Sequence, residues 1–251
     1  MKIRIMLVAL VALIAAGSAQ AIDLTLDATG DTHMRGRSDL ADLNFGRNEA
    51  NGAWSGAGGD AQRILVGFDT SSLVGANSIT GAILRVELHA SYGGSSGAPR
   101  NNEMAIHRLT QSFVQGTGSH EPTNDGATWN SYDYGTHGDG SSALAWPGGG
   151  GALGDAVQDD PNFTAPPTAF GTTGFFLDID VTASVLQAVA GQPHHGFVIS
   201  HAVEGSGDNW TWIHAGESTV GATAAQLITV PEPATLGLMG LASLCMLRRR
   251  R

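Results

Sequence analysis

Short apolar segments with the periodicity of β-strands, separated by clusters of glycine, serine, asparagine and aspartate, dominate the middle of the chain. In residues 82–89, Leu84, Val86 and Leu88 alternate with polar residues, which is typical of a strand with one buried face. Residues 63–70 form a more continuous apolar run, typical of a strand buried on both faces. Further strands are predicted at residues 104–109, 175–181, 196–201, 209–214 and 225–230. This pattern predicts an all-β sandwich or barrel.

One short helix is predicted among these strands. Thr182 can cap a helix over residues 183–190, which Gly191 ends and Pro193 follows. Residues 136–173 are rich in glycine and lack a clear periodicity, so we expect a long surface loop there rather than a second domain. Residues 22–230 are therefore predicted to form a single β-sandwich domain.

The N-terminus has the three parts of a secretory signal peptide. Lys2 and Arg4 are positively charged, residues 5–16 are apolar, and the small residues Ala19 and Ala21 flank Gln20. This arrangement predicts that signal peptidase removes residues 1–21 during export. A buried helix is the alternative, but no face of this segment carries the polar residues that such a helix needs.

The C-terminal residues 231–251 also have three parts. The motif Pro-Glu-Pro precedes an apolar helical run of 14 residues, 234–247, and four terminal arginines. The run is shorter than the roughly 20 residues of a membrane span, and the arginines favour a cytoplasmic end. An ordinary tail anchor is one interpretation. The order of the parts resembles the PEP-CTERM sorting signal of Gram-negative bacteria, which an exosortase processes, and the residues that carry this resemblance are Pro231, Glu232, Pro233, Arg248, Arg249, Arg250 and Arg251.

That resemblance implies transient retention in the inner membrane, cleavage near the Pro-Glu-Pro motif, and a final location at the cell envelope, at the cell surface or in the extracellular matrix.

The charge of the exported part limits which partners it can bind. Between residues 22 and 230 there is no lysine, and 22 acidic residues outnumber seven arginines. Such a surface repels nucleic acids and polyanionic glycans. The single cysteine, Cys245, lies in the tail, which excludes disulfides and thiolate metal sites in the body.

Several motifs follow one another along the body, at residues 28–32, 44–46, 62–69, 79–85, 106–110, 126–130, 177–182 and 196–199. Their order and spacing resemble the DNRLRE family of secreted β-sandwich domains. The resemblance implies a jelly-roll sandwich. It also implies a relation to carbohydrate-binding modules attached to polysaccharide lyases, with alginate as one reported ligand class. The acidic, lysine-free body departs from this pattern, because it suits a polyuronate badly.

Sugar rings stack on aromatic faces, so the aromatic residues are candidates for glycan binding. Trp210 and Trp212 lie two positions apart and face the same side of a strand. The loop-like segments contribute Tyr132, Tyr134 and Trp146. Core packing is the alternative for each of these five residues, and Trp129 is expected to be structural.

Calcium is the cofactor that the composition favours, since hard cations prefer oxygen ligands. Its candidate ligands are Asp31, Asp69, Asp178, Asp180 and Glu217, with turn or helix-start hydrogen bonds as the alternative for Asp69 and Asp180. The strand arginines Arg63, Arg85 and Arg108 are expected to form bidentate pairs with Asp69, Asp178 or Asp180 that hold the sandwich together.

Nothing in the body predicts an enzyme. The Gly-Ser-Ser-Gly sequence at residues 94–97 is typical of a turn. Asp178 and Asp180 lie on the same face of one strand, so their surroundings are too similar for one to act as the acid and the other as the base. His201 and His214 could be neighbours, but no third zinc ligand accompanies them. We therefore predict a non-catalytic surface or matrix module that binds carbohydrate and is associated with exopolysaccharide. A protein–protein adhesin or matrix scaffold is the alternative, followed by a polysaccharide lyase or hydrolase.

Overall fold

The structure is a computed structural model that describes residues 24–56, 59–76, 79–93, 97–119, 125–135, 142–205, 207–219 and 223–231. Its strands are β1 Thr25–Asp27, β2 Gly30–Arg35, β3 Ala50–Trp54, β4 Gln62–Gly67, β5 Ile79–Gly93, β6 Ala98–Pro99, β7 Asn102–Leu109, β8 Ser131–Asp133, β9 Leu144–Ala145, β10 Ala156–Val157, β11 Phe163–Ala165, β12 Phe176–Asp180, β13 Gly196–His201, β14 Asn209–His214 and β15 Gln226–Pro231. The helix α1 spans Thr182–Val189, and Ser71–Leu73 and Leu153–Asp155 form single 3-10 turns.

The first layer of the structure is organised around β5, which has 15 residues. On one side of β5 lies β12, which pairs Asp178 with Arg85. On the other side, two strands follow each other along β5. The first half of β5 pairs with β15, where Gln226 lies opposite Arg85, and the second half pairs with β14. Outside these two strands, β1 pairs with β15 and β3 pairs with β14. All of these pairings are antiparallel.

The second layer has the order β2, β4, β13 and β7, with β10 and β11 both paired to the far side of β7. The two layers join at one corner, where Trp54 at the end of β3 pairs with Gln62 at the start of β4. Together, 13 strands form one hydrogen-bonded antiparallel sheet that folds over itself, and β8 and β9 pair separately. The prediction of an all-β sandwich is confirmed.

The main core lies between the two layers. The first layer contributes Leu84, Leu88 and Leu227, and the second contributes Ile106 and Phe197, all of them fully buried. Burial of an aliphatic or aromatic side chain of this size stabilises a fold by about 1.5–3 kcal/mol. The alternation predicted for residues 82–89 is therefore the inward and outward alternation of β5.

A second core covers the outer face of the second layer. Met34, Leu65 and Val198 point outward from β2, β4 and β13, and they pack against Trp146 and Ala152 from the segment that follows β7. Because β4 and β13 are buried on both faces, every residue of these strands is buried. This explains the continuous apolar run near residue 65.

The segment predicted as a long surface loop, 136–173, is more structured than expected. Within its described part, β10 and β11 extend the second layer and Trp146 fills the second core. Trp146 donates its indole N–H to the carbonyl oxygen of Thr128 at 3.0 Å. Sequence periodicity missed these elements because two- and three-residue strands are too short to show it.

The predicted helix is present as α1, but its N-terminal cap comes from elsewhere. The Asp160 carboxylate accepts hydrogen bonds from the backbone N–H groups of Ala183 and Ser184, at 2.8 and 3.1 Å. Asp180 accepts from the N–H of Thr182 at 3.0 Å. The Thr182 hydroxyl instead faces the backbone N–H of Ala82 on β5, so it ties the helix to the first layer.

The three strand arginines all form ion pairs, although only one of them has a predicted partner. Arg85 binds Asp178 through two hydrogen bonds of 2.7 Å. Arg63 makes a bidentate pair with Glu204, and Arg108 pairs with Asp159. The partners of Arg63 and Arg108 were missed because both acids lie in connecting segments, whose approach to a strand no local pattern reveals.

The predicted signal peptide, residues 1–21, lies outside the described residues, and so do Glu232, Pro233 and the arginines Arg248, Arg249, Arg250 and Arg251. Pro231 is described and ends β15. Within the described ranges, no helix is long and apolar enough to cross a membrane. The predicted apolar helix at residues 234–247 is also outside these ranges.

Candidate functional site

Four aromatic side chains form a continuous row on the outer face of the first layer. Thr211 of β14 points inward and contacts the sulfur of Met104, so its neighbours Trp210 and Trp212 point outward. Trp210 pairs directly with Trp54 of β3 and with Tyr92 of β5. We call these four residues (Tyr92, Trp54, Trp210 and Trp212) the aromatic row.

The rings of the aromatic row are nearly parallel. The centroids of Trp54 and Trp210 are 4.7 Å apart and their planes differ by 8°. Trp210 and Trp212 are 5.6 Å apart at 7°, and Tyr92 lies 6.5 Å from Trp210 at 20°. All four side chains are half-buried. Cross-strand aromatic pairs of this kind stabilise a sheet, and their exposed parts form an apolar strip across three strands.

Polar and backbone contacts fix the orientation of the row. The indole N–H groups of Trp54 and Trp210 both donate to the same Asp208 carboxylate oxygen, each at 2.9 Å. The indole of Trp212 lies across Gly52 on β3, where a Cβ atom would come within 2.9 Å of the ring. Glycine at this position therefore lets the ring lie flat against the neighbouring strand.

A buried polar chain borders one end of the row. The ring of His33 meets Trp212 edge-on at 5.8 Å and contacts Asn51 through Nδ1 at 3.1 Å. Asn51 donates to the Asp31 carboxylate, which also accepts the backbone N–H of Gly216. Burial raises the pKa of Asp31 to about 6, against the lowering effect of these hydrogen bonds.

A polar cleft adjoins the other end of the row. It lies where β7 and β13 of the second layer approach the first layer, and it has a volume of about 250 Å³. Its lining residues are Arg100, Asn101, Asn102, Glu103, His201, Val203 and Asn209. We call this space the polar cleft. The cleft is connected to the aromatic row through Asn209, which lines the cleft and directly precedes Trp210 in the chain.

The aromatic residues predicted for glycan stacking separate into two groups. Trp210 and Trp212 share one outward face, as their spacing predicts. Trp146 is only 3% exposed, so it is a core residue and presents no free face, which corrects its predicted role. Tyr132 packs edge-on against Trp146 on the opposite side of the sandwich from the row. Both Tyr132 and Tyr134 are half-buried.

Trp129 has the structural role expected of it. The guanidinium carbon of Arg63 lies 4.4 Å from the centre of its indole ring, a cation–π contact. The same arginine also donates to the carbonyl oxygen of Gly151 at 2.6 Å. Trp129 and Arg63 therefore hold the part of the chain between β7 and β10, which we call the covering segment, against the second layer.

The five predicted calcium ligands do not converge. Asp178 is paired with Arg85, while Asp69 and Asp180 each accept a backbone N–H two residues ahead, from Ser71 and Thr182. Only Asp31 and Glu217 are close enough for the charge of one to raise the pKa of the other. Among the described residues, no three acidic, histidine or cysteine side chains could share a metal ion. The predicted set is therefore corrected: its members mostly fulfil local turn and ion-pair roles.

The prediction that His201 and His214 could be neighbours is also wrong. His214 faces His89 across β14 and β5, with 3.3 Å between Nε2 and Nδ1. Its Nε2 lies 2.9 Å from the carbonyl oxygen of Thr172. His201 instead lines the polar cleft.

Sequence reasoning missed Trp54, Tyr92 and the cleft residues Asn102 and His201 as parts of one site. A signal for Trp54 was present, since Gly52 and Trp54 lie two apart in a strand-like segment, as do Trp210 and Trp212. No sequence signal indicated that these two segments pair. Their adjacency is set by a contact across more than 150 positions of the chain.

Comparison with known families matches residues 229–251 to the PEP-CTERM protein-sorting motif. This motif marks an exported, envelope-associated protein that an exosortase sorts, which confirms the interpretation of the C-terminal tail. A search of curated proteins found no match to the chain.

Proposed function

We propose that the exported protein is a non-catalytic module of the cell surface or extracellular matrix that binds a neutral polysaccharide through the aromatic row. The single observation that carries this proposal is the arrangement of Tyr92, Trp210 and Trp54 as parallel rings on three adjacent strands. Extended glycans bind to surfaces of this kind, because the apolar faces of successive sugar rings pack on aromatic groups.

Rigidity of the row supports this function. The shared Asp208 contact and the underlying Gly52 hold the indoles in place before a ligand arrives. A preorganised surface loses less side-chain entropy on binding. The acidic body selects against polyanionic chains, since like charges repel, and this favours a neutral glycan over a polyuronate.

The sorting signal supports a place in the exopolysaccharide matrix. The resemblance of the tail to PEP-CTERM signals implies an exosortase, an enzyme found alongside exopolysaccharide export in Gram-negative bacteria. The cell's own exopolysaccharide is therefore the proposed ligand. Removal of residues 1–21 by signal peptidase and transient retention of the tail in the inner membrane belong to the same proposal. The resemblance of residues 31–230 to DNRLRE jelly-roll domains is consistent with a binding module.

A glycan array probed with the processed protein tests this function. We expect binding to at least one neutral polysaccharide, and Trp210→Ala should weaken it about tenfold, which corresponds to about 1.4 kcal/mol. The matched control is Phe170→Ala, because Phe170 is an aromatic residue that is 69% exposed but lies outside the row. Equal binding by wild type and Trp210→Ala, with both proteins folded by circular dichroism, would overturn the role of the row.

A second function, a protein–protein adhesin or matrix scaffold, is favoured by one observation. Phe170, Phe175 and Phe176 are 69%, 42% and 45% exposed and lie along or just before β12, which borders the first layer. Exposed apolar groups beside an edge strand are typical of a protein contact. An array without any bound glycan, together with self-association that Phe176→Ser abolishes, would favour this function.

A further inference from the structure

The polar cleft contains two residues from the second layer that reach toward the first. Asn102 begins β7 and is 2% exposed, and His201 ends β13 and is 4% exposed. Arg100, Glu103 and Asn209 surround them at the surface. Apart from Val203, the lining of the cleft is therefore polar, and its most buried groups are Asn102 and His201.

The contacts of Asn102 fix which way its amide points. Its Nδ2 atom lies 2.7 Å from the carbonyl oxygen of Trp210 and 3.3 Å from that of Tyr92. Both acceptors belong to backbone of the aromatic row, so the amide nitrogen must face them. The Oδ1 atom is consequently turned the other way, where it is buried and has no hydrogen-bond partner within the described ranges.

His201 presents a second acceptor. One ring nitrogen forms a hydrogen bond with the backbone of Ala53, while Nε2 is buried and lacks a partner among the described residues. Burial lowers the pKa of His201 to about 4, so the ring is neutral at physiological pH. Since the bonded nitrogen carries the proton that it donates to the Ala53 carbonyl oxygen, Nε2 is left as an acceptor.

Two unpaired buried acceptors in one cleft require an explanation, because a buried acceptor without a hydrogen bond destabilises the folded state. A group that donates hydrogen bonds would remove this cost on entering. A carboxylate or sulfate group would not, since it has no proton to donate, and the rim carries both Arg100 and Glu103. The hydroxyl groups of a sugar are neutral donors that match this cleft.

We propose that the polar cleft is the subsite that holds one sugar unit of the neutral glycan, with ring hydroxyls donating to Asn102 Oδ1 and His201 Nε2. This proposal rests on the proposed function, and it adds where the chain is anchored. The next unit of the chain would lie against Tyr92 and Trp210, because Asn209 and the backbone bonds of Asn102 connect the cleft to these rings.

Nitrogen-15 NMR of the histidine rings tests the proposal directly. The processed protein is titrated with glucose, galactose and mannose disaccharides, and with galacturonic acid disaccharide as the acidic probe. We expect the Nε2 resonance of His201 to shift with at least one neutral disaccharide and with no acidic one. His201→Phe, which removes the acceptor, should weaken binding of that disaccharide at least tenfold.

His107→Phe is the matched control. His107 lies on β7, like Asn102, and has a buried ring nitrogen without a described partner, but it does not line the cleft. Its substitution should leave the affinity within twofold of wild type. Binding that survives His201→Phe, or a His201 resonance that no neutral disaccharide moves while the array shows glycan binding, would overturn the cleft subsite and leave the aromatic row intact. A wild-type protein that binds no glycan on the array would overturn both proposals.

Discussion

Asp31 shows how a single buried residue links the site to stability. Its carboxylate accepts hydrogen bonds from Asn51 and from the backbone of Gly216, and the nearby charge of Glu217 adds to the effect of burial. Asp31 has a pKa of about 6 in the folded protein, whereas its ordinary pKa, expected in an unfolded chain, is 3.8. Between these values the folded state binds more protons, so the free energy of unfolding falls as the pH rises.

This behaviour predicts the effect of Asp31→Asn. Relative to wild type, the variant should gain roughly 2–3 kcal/mol of stability between pH 3.5 and pH 7, since it avoids the cost of a buried charge. Urea denaturation of both proteins across this range measures the difference. Glu217→Gln, which removes only the neighbouring charge, should show a smaller change in the same direction. A wild-type and Asp31→Asn difference that is constant with pH would contradict the assigned pKa.

The helix α1 depends on a residue outside its own sequence. Asp160 accepts two backbone N–H groups and the Ser184 hydroxyl at the start of the helix, and it is only 4% exposed. In contrast, Asp180 is exposed and accepts one N–H group. The cap that sequence reasoning placed at Thr182 is therefore supplied from a connection 22 residues earlier, which no local capping motif could reveal.

Asp160→Ala should consequently lower the free energy of unfolding by about 1–2 kcal/mol, the usual cost of losing a helix cap. The amide protons of Ala183 and Ser184 should exchange faster with solvent, because they lose their acceptor. Thermal denaturation and hydrogen exchange measure the two effects. Asp180→Ala serves as the comparison, and an equal or larger loss there would show that Asp160 is not the main cap.

The molecule has two apolar cores that share the strands of one layer. Alternate residues of β4 point into different cores, since Ile64 and Val66 face the first layer while Leu65 faces Trp146. Because both cores include residues of β4, this strand cannot unfold from one core while it stays packed in the other. The cores are therefore expected to unfold together, even though the covering segment lies outside the sandwich proper.

Trp146→Ala tests this coupling. Removal of a fully packed tryptophan should cost about 3–5 kcal/mol, and unfolding should remain a single transition. Differential scanning calorimetry, with circular dichroism in the near and far ultraviolet, distinguishes the alternatives. Two separate transitions would mean that the covering segment melts independently of the sandwich.

Local patterns in the chain were sufficient for much of the architecture. Period-two alternation located β5, and the apolar runs at residues 196–201 and 209–214 coincide with β13 and β14. The three-part order of the C-terminal tail identified its sorting signal. These features depend on neighbours within about ten residues, and such neighbours are visible in a single sequence.

The candidate site required the tertiary structure. Trp54, Tyr92 and Trp210 become adjacent only because β3, β5 and β14 pair, and Trp146 becomes a core residue only because its segment folds over the second layer. The same holds for the unpaired acceptors of Asn102 and His201, which lie on different strands. Strand pairing joins residues that are far apart in the chain. Which strands pair depends on how the whole chain buries its apolar side chains, so no local stretch of sequence encodes it.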